Sequence, residues 1–505
     1  MLSKFGFHHF IFVLFPVLLI YLDNIGEVPI YDIFIPLILS LGIILIPWVI
    51  LTYLIGTKKS SIIISIVIII FLIFTYVRSI LVYHEVVEIS FVGKNIILIP
   101  MFSIPTVFII YYILRRKFSS NTTQIINVMS VAVFTFMIFQ IGVLYSVDTS
   151  FDEAQNLLDV PVFEINELSN APNVYFLMLD AYSGEIILKN DFEFDNSKFY
   201  QQLEKRGFFV QKDSYSNYPN TDLSMTSIMN MNYLDFILEI QGEESTDLRL
   251  VHELSNDNKV MEVFKSVGYE IYSFQRGSQN FSLGTETFCK DNLNLNHELT
   301  YSLLNYYIPF SEIRVNVGEQ HRYDSALCVI DTTKKFESQT DAPFYMHMHL
   351  KLPHQPFVFD SEGNKVENPI SSNRFDGELK NAYLQQLIFT NKKTLEIIDE
   401  IQKRNSDDVI IIMSDHGSRL GVDWHNPSEM DYFRGFNNLH ALYFPGQESN
   451  LPTYIASVNT FRIFFNTYFD TNYEILNEKF IWYSPEIPFT QNDVTELVKS
   501  SDLRN

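Results

Sequence analysis

The sequence predicts a membrane-anchored α/β protein, with an amino-terminal region of five transmembrane helices followed by an extracytoplasmic α/β domain. Its central sheet is expected to be mostly parallel and flanked by helices. Three observations predict this: a charge split along the chain, five long apolar runs, and short apolar runs alternating with helical stretches beyond them. The 505 residues carry a formal net charge of −23, unevenly distributed. Residues 1–147 hold eight Lys/Arg against five Asp/Glu, a net +3, which leaves −26 on residues 148–505. One part is nearly free of charge and the other has ordinary soluble composition, which excludes a single globular domain. No nucleic-acid partner is expected, because an acidic domain repels phosphate backbones.

A membrane-crossing helix needs about 20 apolar residues. Residues 5–22, 33–55, 61–83, 95–114 and 125–146 meet that test. The first run leads into the second with no small-residue cleavage site between them, so a cleaved signal peptide fits badly. Lys58-Lys59 follow the second run and Arg115-Arg116-Lys117 the fourth. Asp23, Glu27, Asp32, Glu85 and Glu88 occupy the other loops. Basic loops stay inside, so the expected topology is a multi-pass protein of the plasma (inner) membrane. Its amino terminus is cytoplasmic and everything after residue 147 lies outside. The domain reading is therefore 1–147 anchor, 148–170 linker and 171–505 catalytic domain.

In the outer part, Asn173–Asp180 is a continuous apolar run ending in a carboxylate, as suits a strand buried on both faces of a parallel sheet. Lys198–Arg206 reads as a helix stopped by Gly207, and Lys259–Val267 as another, followed by a strand at Tyr269–Phe274. Phe344–Leu350, Val409–Met413 and Leu439–Phe444 read as strands, and Glu378–Arg404 and Val458–Tyr468 as helices. Such alternation argues for layered α/β architecture, in which ligands bind at the carboxyl ends of the strands.

Two strands there end in acidic residues, at Asp180 and at Ser414-Asp415-His416-Gly417. Carboxylates and an imidazole from distant strands form an O/O/N set that divalent cations accept. Between them, Pro219-Asn220 ends an extended segment and Thr221 stands where a helix begins. A hydroxyl there is placed to attack phosphorus or sulfur, because the helix dipole and free N–H groups favour an anion. The competing reading makes Thr221 a simple N-cap. His347 and His349 share one strand face, and His354 follows in a loop bounded by Pro353 and Pro356. Cys289 and Cys328 leave one disulfide open in an oxidising compartment.

Taken in order, Asp180, Thr221 opening a helix 41 positions later, His349 and His354, and Ser414-Asp415-His416-Gly417 resemble the alkaline phosphatase/sulfatase superfamily. The anchor with an outer domain looks most like its membrane branch of lipoteichoic acid synthases and phosphoethanolamine transferases. The resemblance implies an alkaline phosphatase-like fold and transfer of a phospholipid-derived head group through a phosphothreonine. It implies Thr221 as nucleophile, and Asp180, Thr221, Asp415 and His416 as ligands of a divalent ion (Mn, Zn, Mg or Ca). It also implies His354 at the substrate or leaving group, with His349 and His425 as substrate-binding neighbours. The implied partners are a membrane lipid as donor and a glycan or lipid as acceptor. The implied alternatives are a hydrolase of phosphate, phosphonate or sulfate esters and a non-catalytic module of polysaccharide assembly.

Two departures limit the resemblance. Sulfatases carry Cys or Ser in a Cys/Ser-x-Pro-x-Arg signature, where this chain has Thr221-Asp222-Leu223-Ser224-Met225. The transferases usually carry Glu where this chain has Asp180. The acidic outer domain further disfavours an anionic donor unless a basic rim exists, for which Arg249, Arg276 and Arg419 are the candidates.

Overall fold

The computed structural model describes residues 6–23, 30–83, 91–146, 150–158, 160–161, 171–274, 286–289, 311–338, 340–372 and 374–504. The chain divides into two compact units. One comprises Met1–Asp148 with Asn292–Gly318, the other Thr149–Asp291 with Glu319–Asn505.

In the first unit, the helices Phe34–Ile55, Thr57–Tyr83, Phe91–Arg115 and Ser120–Ser146 match four of the expected runs. Among the described residues, four helices are long and apolar enough to cross a membrane. The run 5–22 differs from expectation, because it is two short helices, His8–Phe12 and Phe15–Asp23, with a turn at Val13-Leu14. Pro16 explains the break: its ring collides with the carbonyl four residues back and it donates no hydrogen bond. Asn127 Oδ1 accepts from the Phe7 and His8 N–H groups at 3.1 and 3.2 Å, and His8 Nδ1 meets Ser65 Oγ at 2.6 Å. These bonds tie the first short helix to two long ones.

The second unit is built on a seven-stranded sheet. Its strands are β1 (Val174–Leu179), β2 (Phe209–Gln211), β3 (Glu270–Phe274), β4 (Glu286–Phe288), β5 (Phe344–Leu350), β6 (Val409–Met413) and β7 (His440–Tyr443). They lie in the order β2-β7-β6-β1-β5-β3-β4. β6, β1, β5, β3 and β4 pair in parallel, and β7 runs antiparallel to both β6 and β2. A separate hairpin is formed by β8 (Ile481–Ser484) and β9 (Ile487–Asp493).

All six residues of β1 are buried, and they divide by parity. Val174, Phe176 and Met178 pack into one core with the helices Thr221–Asn230, Lys259–Ser266 and Thr460–Tyr468. Tyr175, Leu177 and Leu179 pack into the other with Ser197–Lys205, Ser311–Lys335 and Gly377–Arg404. Helices thus cover both faces, which is why the central strands read as unbroken apolar runs rather than alternating ones. The stretch 148–170, expected as a linker, contains a helix, Phe151–Leu157, whose Ala154 is buried with Leu158 in a third core. Residues 162–170 lie outside the described residues. Cys289 and Cys328 form a disulfide, with Cα atoms 6.0 Å apart.

Candidate active site

β6, β1 and β5 are adjacent and parallel, so their carboxyl ends open on one edge of the sheet. Asp180 follows β1, His349 is the last residue but one of β5, and Asp415-His416 follow β6. Sheet order therefore assembles groups that are up to 236 positions apart in sequence. All four are buried: Asp180 is 2% exposed, His349 7%, and Asp415 and His416 0%.

His349 Nε2 lies 3.3 Å from Asp180 Oδ2, and His416 Nε2 lies 3.4 Å from Asp415 Oδ2 and 3.8 Å from Asp180 Oδ1. Asp180, His349 and Asp415 each offer a ligand atom within 4.8 Å of the others. His416 Nδ1 meets the Gly417 carbonyl at 2.7 Å. A carbonyl only accepts, so Nδ1 carries the proton and Nε2 turns its lone pair toward the carboxylates. That tautomer is the one a metal ligand needs. Asp415 Oδ1 is held by the N–H groups of Ala181 and His416 at 3.2 and 3.0 Å, which aims Oδ2 into the site. Two buried carboxylates this close repel unless a cation lies between them. With imidazole nitrogens beside them, the donor set suits a divalent metal ion.

The helix Thr221–Asn230 brings its first residue to the same place. Asn220 is its extended N-cap residue, at φ −135° and ψ 153°. Thr221 is therefore not the cap, and its hydroxyl is free for other work. It donates to Asp415 Oδ2 at 2.7 Å and lies 3.1 Å from His416 Nε2. One turn on, Ser224 Oγ donates to the Asp415 backbone carbonyl at 2.6 Å. Ser224 escaped the sequence reading, although the three-residue spacing from Thr221 on one helix face could have found it.

The two histidines of β5 separate by position. His347 packs against Phe176, with ring centroids 5.2 Å apart, and meets the Tyr345 hydroxyl at 3.1 Å. Its neighbour His349, two residues closer to the carboxyl end, reaches Asp180. His349, expected beside the substrate, is thus placed among the acidic groups. His354 stands in the next loop, where its N–H donates to the Asp180 carbonyl at 3.1 Å. Its Nδ1 meets the Gln355 carbonyl at 2.5 Å, and Arg419 Nη2 approaches its Nε2 at 3.3 Å. Burial, reinforced by Arg322 and Arg419, pushes the His354 imidazole down to about 3, so it stands neutral.

A cleft of about 180 Å³ opens beside these groups, with His354, Arg419, Trp424 and Pro485 in its walls. His425 is not brought to the cluster; it is exposed on the loop after Trp424, with its N–H on Asp423 Oδ1 at 3.1 Å. Of the candidate rim arginines, Arg419 lines the cleft, whereas Arg249 is paired with Asp247 at 2.6 Å. Arg276 lies outside the described residues.

The sequence matches the family described as Sulfatase over residues 172–461. No curated protein matches it. Among solved structures it is similar to the zinc complex of the periplasmic domain of EptC from Escherichia coli, with 11% identity and a TM-score of 0.43, covering 68% of this chain and 98% of that one. It is also similar to the lipooligosaccharide phosphoethanolamine transferase A of Neisseria meningitidis, with 11% identity, a TM-score of 0.35, and 74% and 73% covered. A third likeness is to the phosphonate monoester hydrolase of Agrobacterium radiobacter, with 11% identity, a TM-score of 0.38, and 62% and 80% covered.

Proposed function

The chain belongs to the sulfatase family of enzymes, and from that premise we propose that it transfers a phospholipid-derived phospho-head group, of phosphoethanolamine or phosphoglycerol type, to a surface glycan or lipid through a phosphothreonine at Thr221. The observation that carries this reading is the Thr221 hydroxyl, 2.7 Å from Asp415 Oδ2 at the start of a helix. A divalent cation held by Asp180, His349, Asp415 and His416 would lower the pKa of that hydroxyl and neutralise charge on the phosphoryl oxygens.

The chain's own residues supply the rest. The Thr221 proton is already hydrogen-bonded to Asp415 Oδ2, so the oxygen is aimed and its proton has an acceptor. The helix beginning at Thr221 points its positive end at the developing anion. As Thr221 Oγ1 bonds to phosphorus, its proton passes to Asp415 Oδ2, the ester bond to diacylglycerol breaks, and the departing oxygen takes a proton from solvent. His354, fixed by the Gln355 carbonyl, belongs on that leaving-group side. An acceptor hydroxyl then attacks the phosphothreonine and restores Thr221. Leu223 and Met225 stand where the formylglycine signature has Pro and Arg, which supports threonine chemistry. The apolar helices of the first unit favour a lipid donor, since an anchored site meets lipid by lateral diffusion. The basic loops favour an external catalytic domain.

The test is mass spectrometry of the Thr221 peptide after the full chain, in detergent, meets phospholipid. The transferred group is expected on Thr221, and Thr221→Ala should cut turnover by roughly 1,000-fold or more without changing the melting temperature. Turnover retained in Thr221→Ala overturns the reading. Comparing product with and without a glycan acceptor separates transfer from hydrolysis.

A further inference from the structure

We infer that Asn220, Ser418 and Arg419 form an oxyanion seat beside Thr221, which holds the non-bridging oxygens of the phosphoryl group presented to that hydroxyl. The inference rests on the transfer reading and extends it to the residues that orient the substrate.

Arg419 follows the Asp415-His416 turn with φ 57°, a left-handed conformation that costs energy for a residue with a Cβ. Its N–H donates to the Arg434 carbonyl at 3.1 Å, and Gly417 N–H donates to the Gly435 carbonyl at 2.8 Å. These bonds turn the Arg419 side chain into the cleft. There Nη1 donates to Asn220 Oδ1 and Nη2 approaches His354 Nε2. Both partners are neutral, because His354 spends its Nδ1 proton on the Gln355 carbonyl and offers only a lone pair at Nε2.

Among the described residues no carboxylate pairs with Arg419. Arg206, Arg249 and Arg434 differ, each lying 2.6–2.7 Å from an aspartate oxygen. In an acidic domain, an uncompensated guanidinium lining a cleft is a binding group for an anion.

Asn220 and Ser418 give the second, independent observation. Because Asn220 Oδ1 accepts from Arg419, the orientation of its amide is determined and Nδ2 is the remaining donor. That NH2 group is buried, in a residue only 6% exposed, and beyond the neighbouring Tyr483 hydroxyl it meets no acceptor for its second hydrogen. Ser418 Oγ is likewise buried without a partner, although its backbone N–H donates to Ser183 Oγ at 3.1 Å. Buried donors left unmet are costly and uncommon. Here two of them and a guanidinium line one cleft, and one of the three is the residue immediately before Thr221.

Three donors, one of them charged, match a tetrahedral oxyanion rather than a cation or a neutral group. The cleft, about 180 Å³, is smaller than the roughly 300–1,000 Å³ that encloses a drug-sized ligand. It therefore accommodates a phosphorylated head group and leaves acyl chains outside. Donors aimed at non-bridging oxygens act where charge is carried during transfer, and are already oriented when substrate arrives.

The test uses the full chain in detergent with Thr221→Ala as background, so that nothing is captured covalently, and titrates inorganic phosphate by calorimetry. Adding Arg419→Ala is expected to weaken phosphate by about 10- to 100-fold and Ser418→Ala by about 3- to 10-fold. Divalent-ion affinity, measured separately, should stay within twofold. If Arg419→Ala does not fold, Arg419→Lys keeps the charge but loses the fork, and should bind phosphate about tenfold more weakly. Phosphate affinity within twofold of the background in folded Arg419 and Ser418 variants overturns the seat. With Thr221 intact, a comparable drop in the rate of Thr221 labelling from phospholipid in Arg419→Ala shows that the seat serves a lipid phosphodiester rather than free phosphate alone. Labelling at the unaltered rate removes the seat and leaves the transfer reading standing. Arg419-dependent phosphate binding with no label on Thr221 keeps the seat and removes that reading.

Discussion

Asp408 stands immediately before β6, buried, with Asn173 Nδ2 and Asn405 Nδ2 donating to its Oδ1 at 3.0 and 2.7 Å. Burial outweighs those bonds and raises its carboxyl to about 6. The folded state then holds the proton more tightly than the unfolded chain, whose carboxyl titrates near 3.9. Stability therefore falls as pH rises through that window and is lower above pH 6 than below pH 4. Asp408→Asn removes the charge, so it is expected to stabilise the domain by about 1–3 kcal/mol at pH 8 and to lose that advantage at pH 4. Thermal melts at the two pH values check this, and equal shifts at both contradict it. At the same scale, His347 and His349 share a strand face and differ only in depth. One is a core residue beside Phe176 and the other meets Asp180, a difference set by which residue lies nearer the carboxyl end of the strand.

At the scale of elements, the turn after β6 decides the site. Gly417 passes so close to its neighbours that an added Cβ would lie 2.3 Å from the Arg434 carbonyl oxygen and 2.9 Å from that of Asn437. Backbone cannot move aside cheaply, so Gly417→Ala is expected to cost about 1–3 kcal/mol. It should also displace Asp415 and His416, which calorimetry would register as a loss of divalent-ion affinity of tenfold or more. An unchanged melting temperature with unchanged metal binding would contradict this. The apolar strands and the helix opening at Thr221 were legible because burial on two faces and a Pro-Asn boundary leave marks in the chain. The antiparallel direction of β7 left no such mark, since a short buried strand reads alike in both senses. The turn in residues 5–22 was visible only as Pro16, which an apolar count does not weigh.

For the whole molecule, the acidic domain is proposed to stand outside and the basic loops inside. A cysteine introduced at Lys212, an exposed position, should react in intact cells with a membrane-impermeant maleimide. One introduced at Lys58 should react only after permeabilisation, and the reverse pattern would invert the topology. The Cys289–Cys328 disulfide agrees with an oxidising side for this unit.

Composition and order along the chain determined that apolar helices precede an acidic α/β domain, and placed Asp180, Thr221, Asp415 and His416 at element ends. Those are local properties, written in runs of neighbouring residues and in strand and helix boundaries. The tertiary structure alone decided that His349 joins the carboxylates while His425 stays exposed, and that Asn220, Ser418 and Arg419 meet in one cleft. Contacts between residues some 200 positions apart depend on which strands become neighbours in the sheet. They depend equally on which way a single turn aims its side chains, and local sequence carries neither in readable form.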